Sequence, residues 1–229
     1  MIFSTTTTGG FNLIIRMFEP KITKEEVNKL PLAEFSGDII LVDDIHLIKE
    51  AVDDLKTHSI VGLDTETKPS FQRGIMHKVS LLQISTQNKC YLFRLNKIGF
   101  PDELLTFLAD ENIKKIGLSL RDDLIGLKKR HIFNSNNFID LQTIAKDYGI
   151  LELGLQKMFA IIFGQKISKS QRLSNWENIE LSPQQQHYAA LDAWASLMIY
   201  QELIKCKKLT KKQLQELIAK TTPQQDLTN

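Results

Sequence analysis

Cysteine is scarce: Cys90 and Cys206 stand far apart in unrelated contexts. That usage excludes a disulfide framework and a zinc cluster, and a reduced cytoplasmic setting is its simplest explanation. No apolar run approaches the roughly 18 residues that cross a bilayer, so no membrane partner is expected. An excess of one charge is also missing, since 29 Lys and Arg face 27 Asp and Glu for a net +2 over 229 residues. A nucleic-acid coat protein would be strongly basic, so an anionic partner here must be met by a local patch. Internal repeats are absent. The first 15 residues hold Thr and Gly runs but no basic segment ahead of apolar ones, a poor signal peptide. Residues 1–37 are therefore expected to be a leader, partly disordered, with Met17 as an alternative natural start. Its second half is a charged arm, punctuated by Pro20 and Pro31, laid over the core. What remains is 42% hydrophobic composition, enough for one sizeable core.

The stretch Val61-Gly62-Leu63-Asp64-Thr65-Glu66-Thr67 reads as a buried strand ending in two acids. Side chains two apart share a face of a strand, so Asp64 and Glu66 point one way, opposite Leu63 and Thr65. Two adjacent carboxylates repel and are costly to bury unpaired. A hard divalent cation such as magnesium or manganese removes that cost; the plain alternative is a solvated strand end.

Around this strand the pattern predicts a strand over 38–42 and a helix over 45–57, capped by Asp43 or Asp44, with Ile45, Ile48, Val52 and Leu55 on its buried face. Strands follow over 78–86 and 89–95, joined at Gln87-Asn88 by a tight hairpin turn. Three sequential strands with short loops imply an antiparallel meander. The rhythm then changes. Helices are expected over 101–109, 121–131, 141–148 and 155–163, with strands over 113–118 and 138–140. Strands alternating with helices suggest parallel crossovers, hence a mixed sheet flanked by helices. Residues 165–181 form a polar, basic loop. Ser182-Pro183-Gln184-Gln185 opens a long helix as cap, first-turn proline and capping-box partner. A Lys-rich amphipathic piece over 209–219 and a polar tail close the chain.

Two further acids stand out. Asp123 shares a helical face with Leu120, Leu124 and Leu127 and looks toward the sheet, whereas Asp122 faces outward; both also suit a helix N-terminus. In the last long helix Tyr188 and Asp192 are four apart and share a face. An aspartate among Ala189, Ala190, Leu191, Ala193 and Trp194 is out of place unless it has a partner. His187 lies roughly 140° round the helix from Asp192, so a straight helix favours Tyr188.

Asp64-Thr65-Glu66, then Asp123, then Tyr188 with Asp192 resembles the DEDD exonuclease superfamily. The likeness is to its tyrosine subclass, that of ribonuclease D and the exonuclease domain of the Werner syndrome protein. The stretches Lys78-Val79-Ser80-Leu81-Leu82-Gln83-Ile84, Lys115-Ile116-Gly117 and Tyr188-Ala189-Ala190-Leu191-Asp192 match in order and context, and His187-Tyr188-Ala189 also fits the histidine subclass formally. The resemblance implies a ribonuclease H-like mixed sheet in 38–205, with 206–229 as a C-terminal appendage. It further implies 3′-5′ exonuclease activity with two divalent cations, Mg²⁺ or Mn²⁺, about 4 Å apart. Asp64 would bridge both ions, Glu66 and Asp192 complete the first, Asp123 support the second through water, and Tyr188 orient the attacking water.

Expected partners are single-stranded or frayed 3′ ends of DNA or RNA. Thr65 would meet the terminal nucleotide through its backbone, and Lys166, Lys169 and Arg172 would meet phosphates. Phe71, Met76 and His77, in the loop after the acidic strand, would stack a base or wedge a duplex. Three rivals compete. An aspartyl phosphatase of the haloacid dehalogenase kind wants an aspartate where Glu66 stands. A nucleic-acid-binding module of the same fold need not hold ions. A purely structural α/β domain would leave the acids scattered.

Overall fold

The computed structural model describes residues 2–4, 15–72, 74 and 77–221. The chain begins with β1 (Ile2–Ser4) and β2 (Ile15–Met17), an antiparallel pair; residues 1 and 5–14 of the expected leader lie outside the described residues. The arm follows, holding α1 (Lys24–Lys29). Its capping box is complete: Thr23 accepts from the Glu26 amide, and the Glu26 carboxylate accepts from the Thr23 amide at 2.8 Å. Phe18, Val27, Ala33 and Phe35 are buried, so the arm is part of the folded body. It is stitched down by backbone bonds from Leu151 to Pro20, from Ala33 to Lys166 and from Lys166 to Pro31, each 2.8–2.9 Å. Lys166, expected among the phosphate contacts, is spent here: its ammonium donates to the Asn28 carbonyl at 2.6 Å.

Then come β3 (Asp38–Val42), a 3₁₀ turn (Ile45–Leu47) and α2 (Ile48–Leu55). Asp44 caps the turn by accepting from the His46 amide at 2.8 Å. Ile45, expected on the buried face, is 63% exposed. The tight turn shifts it off the stripe that Ile48, Ala51, Val52 and Leu55 make over the sheet. β4 (Ile60–Thr67), β5 (Val79–Ser85) and β6 (Lys89–Phe93) form the expected meander, with Thr86 and Lys89 bonded across Gln87-Asn88. A short helix that the pattern had not signalled, α3 (Leu95–Ile98), precedes α4 (Asp102–Ala109), where Pro101 sits at the cap rather than inside the first turn. Next are β7 (Lys114–Gly117), α5 (Leu120–Lys128), β8 (Phe138–Asp140), α6 (Leu141–Ile144) running into a 3₁₀ turn (Ala145–Tyr148), α7 (Leu155–Phe163), α8 (Pro183–Leu203) and α9 (Lys211–Thr221).

Among the described residues the main sheet has six strands in the order β3-β6-β5-β4-β7-β8. β4 pairs antiparallel with β5 and parallel with β7; β3 returns to pair parallel with β6 at the far edge. This is the mixed sheet expected, and the ribonuclease H-like architecture. Two apolar layers cover it. On one face α8 packs over Leu81, Cys90, Leu92 and Ile116. On the other, α2, α4 and α5 cover Val61, Leu63, Leu82, Ile84 and Phe93. The two sets alternate along each strand, as a sheet buried on both faces requires.

Candidate active site

β4 lies inside the sheet and ends where the sheet meets both α5 and α8. Its first half is apolar because both faces are covered. Gly62 allows α8 to lie directly on the strand: a methyl group there would fall 2.0 Å from the Ala193 carbonyl oxygen. Two residues on, Asp64 leaves the strand on that same α8 face, and Glu66 follows it. A register shift between Glu66 and Thr67 ends the regular ladder there.

Helix α8 supplies the third acid. Its start is fixed by a capping box, with Ser182 accepting from the Gln185 amide and Gln185 from the Ser182 amide at 3.0 Å. Asp192 is 7% exposed amid buried alanines. One carboxylate oxygen each from Asp64, Glu66 and Asp192 lies within 4.8 Å of the others. Three carboxylates so close form a hard oxygen donor set that suits a divalent cation.

Helix α5 brings the fourth acid. Gly117 closes β7 so tightly that a methyl group would strike Leu120 and the Leu63 carbonyl. Ser119 then takes a left-handed conformation, φ 59°, ahead of the helix. The Asp140 carboxylate at the end of β8 holds this turn, accepting from the Ser119 amide at 3.1 Å and the Leu120 amide at 2.9 Å. It also caps α6 through the Gln142 amide at 2.9 Å. One turn into α5, Asp123 is half-buried and accepts a hydrogen bond from the Thr65 hydroxyl, while Asp122 is exposed. The helical face read from the sequence is thus the observed one.

The electrostatics are those of crowded like charges. Burial, then Asp123, Asp192 and Glu66 in turn, push the Asp64 carboxyl well above its ordinary range. Burial, then Asp192 and Asp123, lift Glu66 to about 9. Asp123 and Asp192 are raised as well, chiefly by burial; Thr65 and Tyr188 respectively oppose the shift by hydrogen bonding. Tyr188 is half-buried, its ring 6.0 Å from that of the fully buried Trp176, and its phenol bonds to Asp192. Burial and the three acids Asp192, Glu66 and Asp64 drive the phenol's pKa upward. His187 is exposed and lines the same cleft as Tyr188, and it is the phenol that bears on the acids.

The expected substrate contacts divide. Thr65 sits at the site through its bond to Asp123. Lys169 is exposed, yet its charge opposes the upward shift of Asp192. Arg172 is exposed in a turn closed by its amide and the Lys169 carbonyl. Met76 lies outside the described residues. Phe71 is 85% exposed, and His77 is engaged: with Lys68 it faces Glu177 at 3.8 and 3.3 Å, tying the loop after β4 to the loop before α8. Two clefts flank the acids. One of about 470 Å³ runs past Thr65, Asp123, Lys78 and Lys129; the other, about 560 Å³, runs past Tyr188, Ser168, Leu32 and Phe35.

Sequence reasoning had missed the supports. Asp140 was visible only as the last residue of a short strand. Arg94, at the end of β6, is fully buried and donates to the carbonyls of Ile179, at 2.8 Å, and Asn178, anchoring the loop ahead of α8. An arginine closing an apolar strand was the available signal for it.

The comparisons agree with this geometry. The sequence profile described as 3′-5′ exonuclease matches residues 39–207. The bifunctional 3′-5′ exonuclease/ATP-dependent helicase WRN of Mus musculus is 31% identical over 186 residues, which cover 77% of this chain and 13% of that protein. This chain therefore spans a small part of that relative's length. Of solved structures, the Nibbler EXO domain of Aedes aegypti superposes with a TM-score of 0.69 at 22% identity, covering 81% of this chain and 99% of that one. The Trypanosoma brucei RNase D complex with RNA U12 gives 0.66 at 20%, covering 74% and 63%. At such identities the superpositions speak for the fold. The profile spans all the segments that carry the acids, and this chain belongs to the 3′-5′ exonuclease family of the DEDD superfamily.

Proposed function

We propose that this chain is a metal-dependent 3′-5′ exonuclease that hydrolyses the terminal phosphodiester of a nucleic-acid strand and releases nucleoside monophosphates. The observation that carries the reading is the meeting of Asp64, Glu66 and Asp192 oxygens within 4.8 Å, with Asp123 close enough to raise Asp64. Carboxylates from three distant segments gathered at one sheet end cost stability unless cations join them.

The donor set suits Mg²⁺ or Mn²⁺: Asp64, Glu66 and Asp192 would hold one ion, and Asp64 with Asp123 would hold a second. Such a pair, when bound, supplies Lewis-acid charge at the attacking and leaving oxygens of an in-line displacement. The residues of the chain do the rest. Asp192 accepts from Tyr188 and fixes the phenol at the mouth of the site. A phenol raised in pKa stays protonated near neutral pH, so Tyr188 acts by donating a hydrogen bond and orienting water, not as a base. Thr65 holds Asp123 in place. Lys169, whose charge reaches Asp192, and the exposed Arg172 are the cations that meet phosphates, giving a short footprint suited to single-stranded or frayed ends. The RNA in the Trypanosoma brucei RNase D complex makes RNA one candidate strand and DNA the other. A cytoplasmic, reducing location belongs to the same proposal, in keeping with the scarcity of cysteine in the sequence.

The test is degradation of 5′-labelled DNA and RNA strands with Mg²⁺ or Mn²⁺. Asp64→Ala should lose on the order of a thousandfold in rate, several kcal/mol of transition-state stabilisation. Tyr188→Phe should slow the reaction about a hundredfold with the fold kept. Cutting by Asp64→Ala at the wild-type rate overturns the metal role. Digestion of a circular strand overturns the need for an end.

A further inference from the structure

The most anomalous polar group in the molecule sits beside the first acid. Gln83, in β5, is 0% exposed, and neither its amide nitrogen nor its amide oxygen has a hydrogen-bond partner among the described residues. A buried amide left unpaired costs on the order of 1–3 kcal/mol, so such groups persist where something else requires them. The strand register supplies the reason. Gln83 is the direct cross-strand partner of Asp64, and Leu81 is that of Glu66. Directly opposed residues of an antiparallel pair share a face, with Cβ atoms roughly 5 Å apart. Leu81 packs in the cluster under α8, while Leu82 and Ile84 pack on the opposite face, so Gln83 lies on the α8 side with Asp64.

Resting on the exonuclease reading, we propose that Gln83 is a positioning residue: its amide N–H, unpartnered in the metal-free protein, donates to the Asp64 carboxylate when divalent cations are bound and holds that shared ligand in the orientation that retains them. An amide does this without adding a like charge to a site already crowded with four acids. Leucine or methionine would fill the same space and leave Asp64 unguided.

The experiment compares the full-length wild type with Gln83→Leu, Gln83→Met and Asp64→Ala. It reads melting temperature without metal and Mn²⁺ affinity by titration calorimetry. The Gln83 variants should melt at or above the wild type, because an unpaired amide gives way to an apolar side chain of similar size. They should bind Mn²⁺ between tenfold and a hundredfold more weakly, roughly the effect of removing a group that orients a metal ligand. A purely structural glutamine gives the opposite pair of results, a lower melting temperature with Mn²⁺ affinity retained in the folded protein. Wild-type Mn²⁺ affinity in either folded variant overturns the inference, as does a large drop in melting temperature in both. Asp64→Ala separates this from failure of the exonuclease reading. If it loses Mn²⁺ while the Gln83 variants keep it, only the role of Gln83 falls. If it keeps Mn²⁺, the metal site falls too.

Discussion

Among the described residues, buried cations on the flanks of the sheet and the buried carboxylates at its centre are treated differently. Lys115, in β7, and Arg94, at the end of β6, are both fully buried cations. Lys115 donates to the Asp110 carbonyl and lies over the Phe138 ring, and Arg94 bridges two carbonyls. Each charge meets partial negative charge and is kept apart from its own kind. At the end of β4 the rule is reversed: four carboxylates face one another, and the nearest helpers are two hydroxyls and one exposed lysine. Burial lowers the Lys115 pKa to about 8 and raises Glu66 to about 9, so both regions feel the same desolvation. The difference is purpose. A charge placed for structure brings its partners with it; charges placed for a cation wait for theirs.

The largest expected contrast is in pH dependence. The four acids have folded-state values raised above those of the unfolded chain, so the metal-free fold binds more protons than the unfolded one. Its stability is full below about pH 4 as far as these groups go, and is lost as pH rises toward about 9, the Glu66 value. The swing should amount to several kcal/mol, and saturating Mn²⁺ should reverse it. Denaturant melts at pH 5 and pH 9, with and without Mn²⁺, measure it, and equal metal-free stabilities would break the comparison. Next in size, Arg94→Met should cost about 3 kcal/mol, because it strands two carbonyls and frees the loop before α8. Urea midpoints check this. Asp64→Asn should act in the opposite sense, stabilising the metal-free protein by about 2 kcal/mol at pH 8 while activity is lost. Loss of stability there would show that Asp64 is placed for structure after all. The smallest effect belongs to Asp140→Ala. With the Ser119 turn released, Asp123 loses its bearing, and cleavage should fall about tenfold, with Asp140→Asn retaining part of it.

Much of this was readable in the chain. The alternation in β4, the turn at Gln87-Asn88 and the capping box at Ser182 are local signals, and each appears where the pattern places it. So does the choice of Asp123 over Asp122, since helical spacing decides which residue faces the sheet. What could not be read depends on contacts between distant segments. The return of β3 to pair with β6 joins strands nearly fifty residues apart, and no periodicity encodes it. The arm's attachment through Lys166 removed a lysine that composition alone offers to phosphate. Ile45 failed because a 3₁₀ turn breaks helical phase before α2 begins. Asp140 supports the acids from outside the motifs that carry them, so only coordinates bring it forward.

One small vacancy in the side-chain record governs the spacing of the whole centre. Because residue 62 is hydrogen where every other amino acid has carbon, strand and helix touch backbone to backbone at Ala193. Asp64 lies two residues after Gly62 and Asp192 one residue before Ala193, so the distance between them is inherited from that touch point. The gap between two ligands is thus calibrated by a residue that bears no functional group, and a single added methyl would widen it from beneath.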